Sequence, residues 1–216
     1  MTFDDLQSQA KAHHLALLGG FHTNADDDVP EGTKTVVLLG PDDPAFWPAF
    51  TESKEWQDGR PDPMDRWCTR VIGGWAAALG AHPLYPFGGP PFLPFFSWAV
   101  RTGRVHASPI MLLVHDTAGL LVSFRGALAL TERIDLPVPP PSPCKTCDDR
   151  PCLTACPVGA LDGSAYDVPA CRSFLGSTAG VDCMTAGCAA RRACPVSQTY
   201  PRLPEQSAYH MTIFKG

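Results

Sequence analysis

The cysteines of this chain carry its clearest chemical signal. The stretch CKTCDDRPCLTACPVGAL, residues 144–161, holds four of them, and eight of the nine cysteines lie between residues 144 and 194. Their order is Cys144-x2-Cys147-x4-Cys152-x3-Cys156-Pro157, then Cys171, then Cys183-x4-Cys188-x5-Cys194-Pro195. Cysteines at this density either form disulfides or bind metal. The segment therefore predicts a disulfide framework, a zinc site or an iron–sulfur centre.

These three interpretations need different compartments and different spacings. Disulfides need an oxidising compartment, but the N-terminus MTFDDLQSQAKAHH lacks the basic and apolar regions of a secretory signal. We therefore expect a cytoplasmic protein with reduced thiols. Two zinc sites would also use eight thiolates, but zinc ligands usually come as two separated pairs. Two [4Fe–4S] clusters need one thiolate for each iron, which eight cysteines supply with none left over. We favour iron–sulfur.

The order of the cysteines is similar to the bacterial ferredoxin run, in which the cysteine before a proline ligates the other cluster. This resemblance implies a crossed assignment. The first cluster takes Cys144, Cys147, Cys152 and Cys194, and the second takes Cys156, Cys171, Cys183 and Cys188. The gaps after Cys147 and around Cys188 are longer than in the usual run, which lengthens the loops and keeps the ligand order. Cys68 lies in a predicted helix, and we interpret it as a small buried hydrophobe.

The elements that position these groups fall into two halves. The proline-rich stretch DLPVPPPSPC, residues 135–144, is typical of a semi-rigid spacer. We predict a first domain over 1–135, a linker over 136–142 and a cysteine-dense domain over 143–216. The second half has little periodicity, so its order should depend on a metal or cluster.

Periodicity in the first half predicts an α+β arrangement. We expect the following elements: a helix over 4–18, a buried strand over 33–40, a short helix over 42–52, a helix capped by Asp62 and closed by Gly80, a helix over 91–103, and a β-hairpin over 107–130 that turns at 115–119.

Composition argues against two classes of partner. No run of about eighteen apolar residues is present, so we expect no membrane span. The net charge of −5, without a long basic run, argues against nucleic acid.

The second half resembles the cluster domain of epoxyqueuosine reductase and of reductive dehalogenases, through the crossed pattern and the remote cysteine in ACRSFL, residues 170–175. The first half is similar to the cobalamin-processing CblC family. The similar stretches are SPIMLLVHDTAGLLVSFRGALALTERIDLPVPP (108–140), GPDDPAFWPAF (40–50) and DPMDRWCTRVIGGW (62–75).

The CblC resemblance implies a nitroreductase-type α+β domain with an open hydrophobic cavity for a corrinoid, and the resemblance of the second half implies a ferredoxin-like module with two [4Fe–4S] clusters. The CblC resemblance also implies that Arg125 contacts the cofactor or an anionic co-substrate. His115, which closes the preceding strand, is the second cofactor-binding residue that the resemblance implies. His82 precedes a Pro/Gly/aromatic loop that suits a cavity wall. The implied role is delivery of low-potential electrons to the corrinoid, as a cobalamin reductase or a corrinoid-dependent enzyme.

Other roles stay open at this point. The protein could be a plain electron carrier whose first domain docks a partner, or a reductase with FMN in place of the corrinoid. A reduced ferredoxin or flavodoxin would suit as electron donor, and a homodimer could close the cavity. Arg191 and Arg192, just before Cys194, suit hydrogen bonding around a cluster, docking of an acidic donor, or simple solvation.

Overall fold

The structure, a computed structural model, describes all 216 residues and has a mixed α+β fold. The chain divides into two compact units. Met1–Arg104 and Ser123–Pro140 form the first unit, and Val105–Val122 and Pro141–Gly216 form the second. The change at residue 140 falls inside the predicted linker. Residues 105–122 differ from the prediction, because they belong to the second unit and not to the first.

A four-stranded antiparallel sheet forms the centre of the first unit. Its strands, numbered along the whole chain, are β1 (Leu15–His22), β2 (Thr35–Pro41), β3 (His82–Leu84) and β6 (Gly126–Leu130), in the spatial order β1-β2-β6-β3. Every residue of β2 and β6 is buried. The buried strand predicted over 33–40 is therefore confirmed, and its continuous apolar run reflects burial on both faces.

The helix predicted over 4–18 is wrong in its second half. Helix α1 covers only Phe3–Ala12, where Thr2 and Asp5 form a capping box. The backbone reverses at His14, which has a φ of +56°. The residues after it form β1, because a short continuous apolar run suits a buried strand as well as a helix.

The other helices of the first unit are α2 (Phe46–Thr51), α3 (Lys54–Gln57), α4 (Pro63–Leu79) and α5 (Phe95–Arg101). Helix α4 has Pro63 in its first turn and ends at Gly80, as predicted. The predicted Asp62 cap is wrong. Asp62 has a φ of +52° and makes no capping hydrogen bond, since a capping side chain needs an extended backbone to reach the first free N–H groups.

An ion pair joins α3 to α4. Glu55 is buried and accepts hydrogen bonds from Nε and Nη2 of Arg70 at 2.6 and 2.9 Å. Arg70 lowers the pKa of Glu55 to about 2. The carboxylate therefore stays ionised, and α3 is held against the face of α4.

The hairpin predicted over 107–130 is wrong in its pairing. Strand β5 (Leu113–His115) pairs with β4 (Val105–Ala107) in the second unit, whereas β6 pairs with β2 and β3 in the first. The turn itself lies where it was predicted, with a bridge between His115 and Gly119. Alternating patterns locate strands along the chain, but they do not choose the partner of each strand.

The second unit consists of short elements. After β4 and β5 come 3-10 turns at Pro143–Thr146, Pro151–Leu153 and Thr178–Gly180, and the helices α6 (Val168–Leu175), α7 (Val181–Ala186), α8 (Ala189–Arg192), α9 (Pro195–Thr199) and α10 (Pro204–Lys215). Segment 105–122 is tied to this unit by its backbone. The Leu120 N–H donates to Ser197 Oγ at 2.9 Å, and the carbonyls of Leu120 and Leu121 accept from Arg191 and Arg202.

None of the helices combines the length and the apolar character that crossing a membrane would require.

Candidate functional site

A cavity of about 160 Å³ in the second unit is lined by Cys144, Cys147, Cys152 and Cys194, which we call the first set. Its remaining walls include the apolar Val114 and Leu120 from segment 105–122, and Thr146 and Arg150 from the loop between the cysteines. The cysteines brought together here come from two segments far apart in sequence. They are the residues that the crossed assignment gives to one cluster.

Prolines fix the local backbone beside three of these cysteines. Pro143 and Pro151 begin the 3-10 turns that carry Cys144 and Cys152, and Pro195 begins α9 directly after Cys194. Proline presets φ and suits the first position of a helical turn, where its missing N–H costs nothing. The Cys-Pro and Pro-Cys pairs therefore hold the sulfurs in place with few residues.

Electrostatic effects between the thiols indicate that the four cysteines of the first set lie close to one another. Burial raises the pKa of Cys144, and the thiols of Cys194 and Cys147 raise it further. Burial likewise raises the pKa of Cys152, followed by the effects of Cys144, Cys194 and Cys147. Four thiolates so close together repel one another, and only a positive charge among them would hold all four ionised.

The remaining four cysteines of the segment, Cys156, Cys171, Cys183 and Cys188, form the second set. Burial raises the pKa of Cys171, and the thiols of Cys188 and Cys156 add to this effect. Burial also raises the pKa of Cys183, where the Ala189 N–H opposes the shift and Cys188 adds to it. All of these thiol–thiol effects act between cysteines of the same set, so the structure groups the eight cysteines four and four.

A tyrosine and an arginine lie beside the second set. The Tyr166 hydroxyl donates to Cys171 Sγ at 3.5 Å, and the Tyr166 ring stacks on Phe214 with centroids 5.8 Å apart. Arg191 is partly buried, and burial lowers the pKa of its guanidinium, while Cys188 and Tyr166 act in the opposite direction. These contacts place a cation and a hydroxyl against the second set.

One apolar core supports both sets. Its buried members are Ile110, Val114, Leu120, Leu161 and Ala190, together with Cys152 and Cys194 of the first set. Cys156 and Cys188 of the second set also pack against it. Only four residues of chain lead from Cys152 to Cys156, a span of at most about 14 Å. Groups held by the two sets would therefore be close neighbours.

Ser108 is a residue of this site that the sequence did not indicate. It lines the cavity of the first set, is only 7% exposed, and its hydroxyl has no hydrogen-bond partner. A buried hydroxyl without a partner costs free energy, so such a group usually has a ligand, an ion or a water to bond. Sequence patterns gave no signal for it, because Ser108 lies outside the cysteine segment.

The predicted cofactor residues of the first half do not come together within one unit. Arg125 precedes β6 in the first unit, where its Nη1 donates to Met64 Sδ at 2.8 Å and its Nε is buried without a partner. His82 is exposed at the start of β3. His115 lies in the second unit and is buried, and its Nδ1 accepts the N–H groups of Thr117 and Ala118 at 3.2 Å.

An open groove of about 490 Å³ runs along α4 in the first unit. It is lined by Asp62, Asp65, Arg66, Thr69 and Arg70 of the α4 region and by Phe87 and Gly88 of the loop that follows β3. Burial raises the pKa of Asp65, and the nearby Arg125 opposes this shift. The predicted loop wall is thus present in part, without His82.

No three His, Cys, Asp or Glu side chains converge as ligands of a single metal ion would. Comparison of the chain with protein-family models, with curated proteins and with solved structures found no match.

Proposed function

We propose that this protein transfers electrons through two [4Fe–4S] clusters, one held by each cysteine set. The observation that carries the proposal is the grouping of the eight cysteines. Cys194 joins Cys144, Cys147 and Cys152 around one cavity, as the crossed spacing predicts. Spacing and packing are separate arguments, and both support the grouping of Cys194 with the first three cysteines.

The residues around the sets suit the group that we propose. In a cubane each iron takes a single thiolate, so four sulfurs can surround it without converging on one point as zinc ligands must. The unpartnered hydroxyl of Ser108 could donate to a sulfide or thiolate of the first cluster. Arg191 supplies positive charge beside the second set, where four thiolates would otherwise repel.

Each such cluster accepts and donates one electron at low potential when bound. The chain itself has three tasks: its thiolates ligate the irons, its prolines fix the ligand loops, and its apolar core excludes water from the inner sides of both sets. Sharing one core keeps the two sets close, which favours rapid exchange of an electron between them.

Iron and sulfide analysis after anaerobic reconstitution of the full chain tests this proposal. We expect about eight irons and about eight acid-labile sulfides per chain, four of each for each cubane. Cys147→Ala and Cys171→Ala should each retain about half, since neither residue lies in the segments 152–156 and 188–194 that join the sets. Cys68→Ala is the matched control and should retain the full amount, because Cys68 is buried in α4 of the first unit. Zinc without sulfide would overturn the proposal.

A corrinoid as electron acceptor in the first unit stays a prediction based on the resemblance, with FMN or a docked partner as the alternatives. The observation that favours a ligand is Arg125, whose buried Nε has no partner and whose Nη1 meets only a weak acceptor in Met64. Titration of cob(II)alamin into reconstituted protein, followed by EPR and visible absorption, tests this. A saturable change to the base-off spectrum that is weaker with Arg125→Met would support the corrinoid. A cob(II)alamin spectrum that does not change when wild-type protein is added would exclude it.

A further inference from the structure

We propose that Arg191 and Tyr166 hold the reduction potential of the cluster bound by the second set above that of the cluster bound by the first. This inference rests on the proposed function. Cluster potentials depend on net charge, hydrogen bonds to the sulfurs and solvent exposure. The two sets differ most in the first of these properties, the charge beside them.

Arg191 lies one helical turn after Cys188, which directly precedes α8, and it has no carboxylate partner. Its hydrogen bond goes to the neutral carbonyl of Leu120, from Nη1 at 3.3 Å. Arg192, the next residue, pairs with Asp182 instead. Reduction adds one negative charge to a cluster, and a fixed unneutralised cation beside Cys188 stabilises that charge.

The charges around the first set largely cancel. Lys145, Asp148, Asp149 and Arg150 are all exposed, and they contribute two charges of each sign. Exposed charges are screened by salt over about 10 Å at 0.1 M ionic strength, whereas partly buried charges are screened much less. Arg191 therefore outweighs the loop charges in setting the difference between the two sites.

Tyr166 contributes through a hydrogen bond to a ligand. Its hydroxyl donates to Cys171 Sγ, and a donor to a thiolate stabilises the more negative, reduced state of the cluster. Phe214 stacks on the Tyr166 ring with an interplanar angle of 7°, which holds the ring in place. The Ser108 hydroxyl offers the first set a similar bond, so Arg191 makes the larger part of the difference.

Anaerobic redox titration of the full reconstituted chain, monitored by EPR with dithionite as reductant, measures both potentials. Cys147→Ala leaves the second-set cluster and Cys171→Ala leaves the first-set cluster, which assigns each potential to its site. We expect the higher potential from Cys147→Ala. In the full chain, Arg191→Gln should lower the higher potential by about 59 mV, a tenfold change in the equilibrium of a one-electron exchange.

The other variants separate charge from packing. Arg191→Lys keeps the cation and should keep the potential. Tyr166→Phe should lower the higher potential by an amount that corresponds to about a threefold change in the same one-electron equilibrium. Arg133→Gln, which removes an exposed cation of the first unit, should change neither potential measurably. The inference is overturned if both Arg191→Gln and Tyr166→Phe leave the higher potential unchanged. It is also overturned if these variants change the lower potential instead. If Arg191→Gln does not hold its clusters, Tyr166→Phe decides alone. A wild-type chain without iron and sulfide would instead refute the proposed function.

Discussion

Single side chains beside the cysteines determine which hydrogen bonds a bound cluster could receive, and two serines allow this effect to be measured. Ser108 in the second unit and Ser123 in the first both have hydroxyls that are buried without a hydrogen-bond partner. Only Ser108 lines a cavity with cysteines. The two residues therefore differ in what a bound cluster could offer them.

Ser108→Ala should lower the reduction potential of the first-set cluster, because it removes a hydrogen-bond donor to sulfur. Anaerobic redox titration of the reconstituted chain measures this shift.

Ser123→Ala is the control for this measurement. It should leave both cluster potentials at their wild-type values. If the two variants shifted the first-set potential equally, the hydroxyl of Ser108 would have no specific role at the cluster.

The grouping of the cysteines was predictable at this scale, because the crossed order assigns Cys194 to the first set, whose cavity it lines. Thiol density and the two Cys-Pro pairs indicate iron–sulfur ligands, and that part stays a prediction. Ser108 was not predictable, because a serine between a short strand and a proline has no pattern of its own. Its importance comes only from the cavity to which the fold brings it.

Among the elements, the turn that follows β5 shows most clearly how close packing builds the site. Gly119 has a φ of +57°, and a Cβ there would lie 2.5 Å from both the N and the Oγ of Ser197 in α9. Helix α9 begins directly after Cys194. The turn thus packs against the helix that follows a ligand, and only glycine fits at position 119.

Gly119→Ala should make the first-set cluster more labile, because the added methyl group forces the turn away from α9. Gly159→Ala is the matched control: Gly159 has a φ of +62°, and its Cβ would meet nothing within 4 Å. Both variants carry similar backbone strain, so the difference between them measures the close contact. We expect Gly119→Ala to be less stable by about 1–3 kcal/mol beyond the control.

Urea unfolding followed by the visible absorbance of the clusters, together with the rate of absorbance loss in air, provides the measurement. Equal behaviour of the two variants would show that the turn moves without affecting the ligands.

Sequence patterns predicted element types better than element partners. The buried strand at 33–40 and the turn at 115–119 follow from local composition and glycine placement. The hairpin over 107–130 failed because β5 and β6 pair with strands in different units, which depends on long-range packing. The helix over 4–18 failed because Leu15–Leu18 forms a continuous apolar run, which has no periodicity to separate helix from strand.

Taken as a whole, the molecule divides its chemistry between the two units. All five tryptophans lie in the first unit, and eight of the nine cysteines lie in the second. The first unit has a buried sheet and an aromatic cluster formed by Phe46, Phe50 and Trp67. The second unit has short helices on a small core that includes Cys152 and Cys194, so we expect its fold to depend on the proposed clusters.

Removal of iron should therefore disorder the second unit and leave the first folded. Oxidation with ferricyanide in the presence of EDTA strips the clusters, and the second unit then loses its bonds to iron and keeps a core too small to hold it folded. We expect the far-UV signal of helices α6–α10 to fall. Limited proteolysis should cut within residues 141–216, while the tryptophan emission maximum, which reports on the first unit alone, stays in place.

Reconstitution provides the control, since iron and sulfide should restore both the far-UV signal and protease resistance. The Cys68→Ala chain should respond as the wild type does, because Cys68 belongs to the first unit. A red shift of tryptophan emission on iron removal would contradict this division, because it would mean that the sheet of the first unit needs the clusters. Helicity and protease resistance that stay unchanged after iron removal would also contradict this division. The core built on Ile110, Leu120 and Leu161 would then be sufficient to fold the second unit, and the clusters would serve electron transfer without supporting the fold.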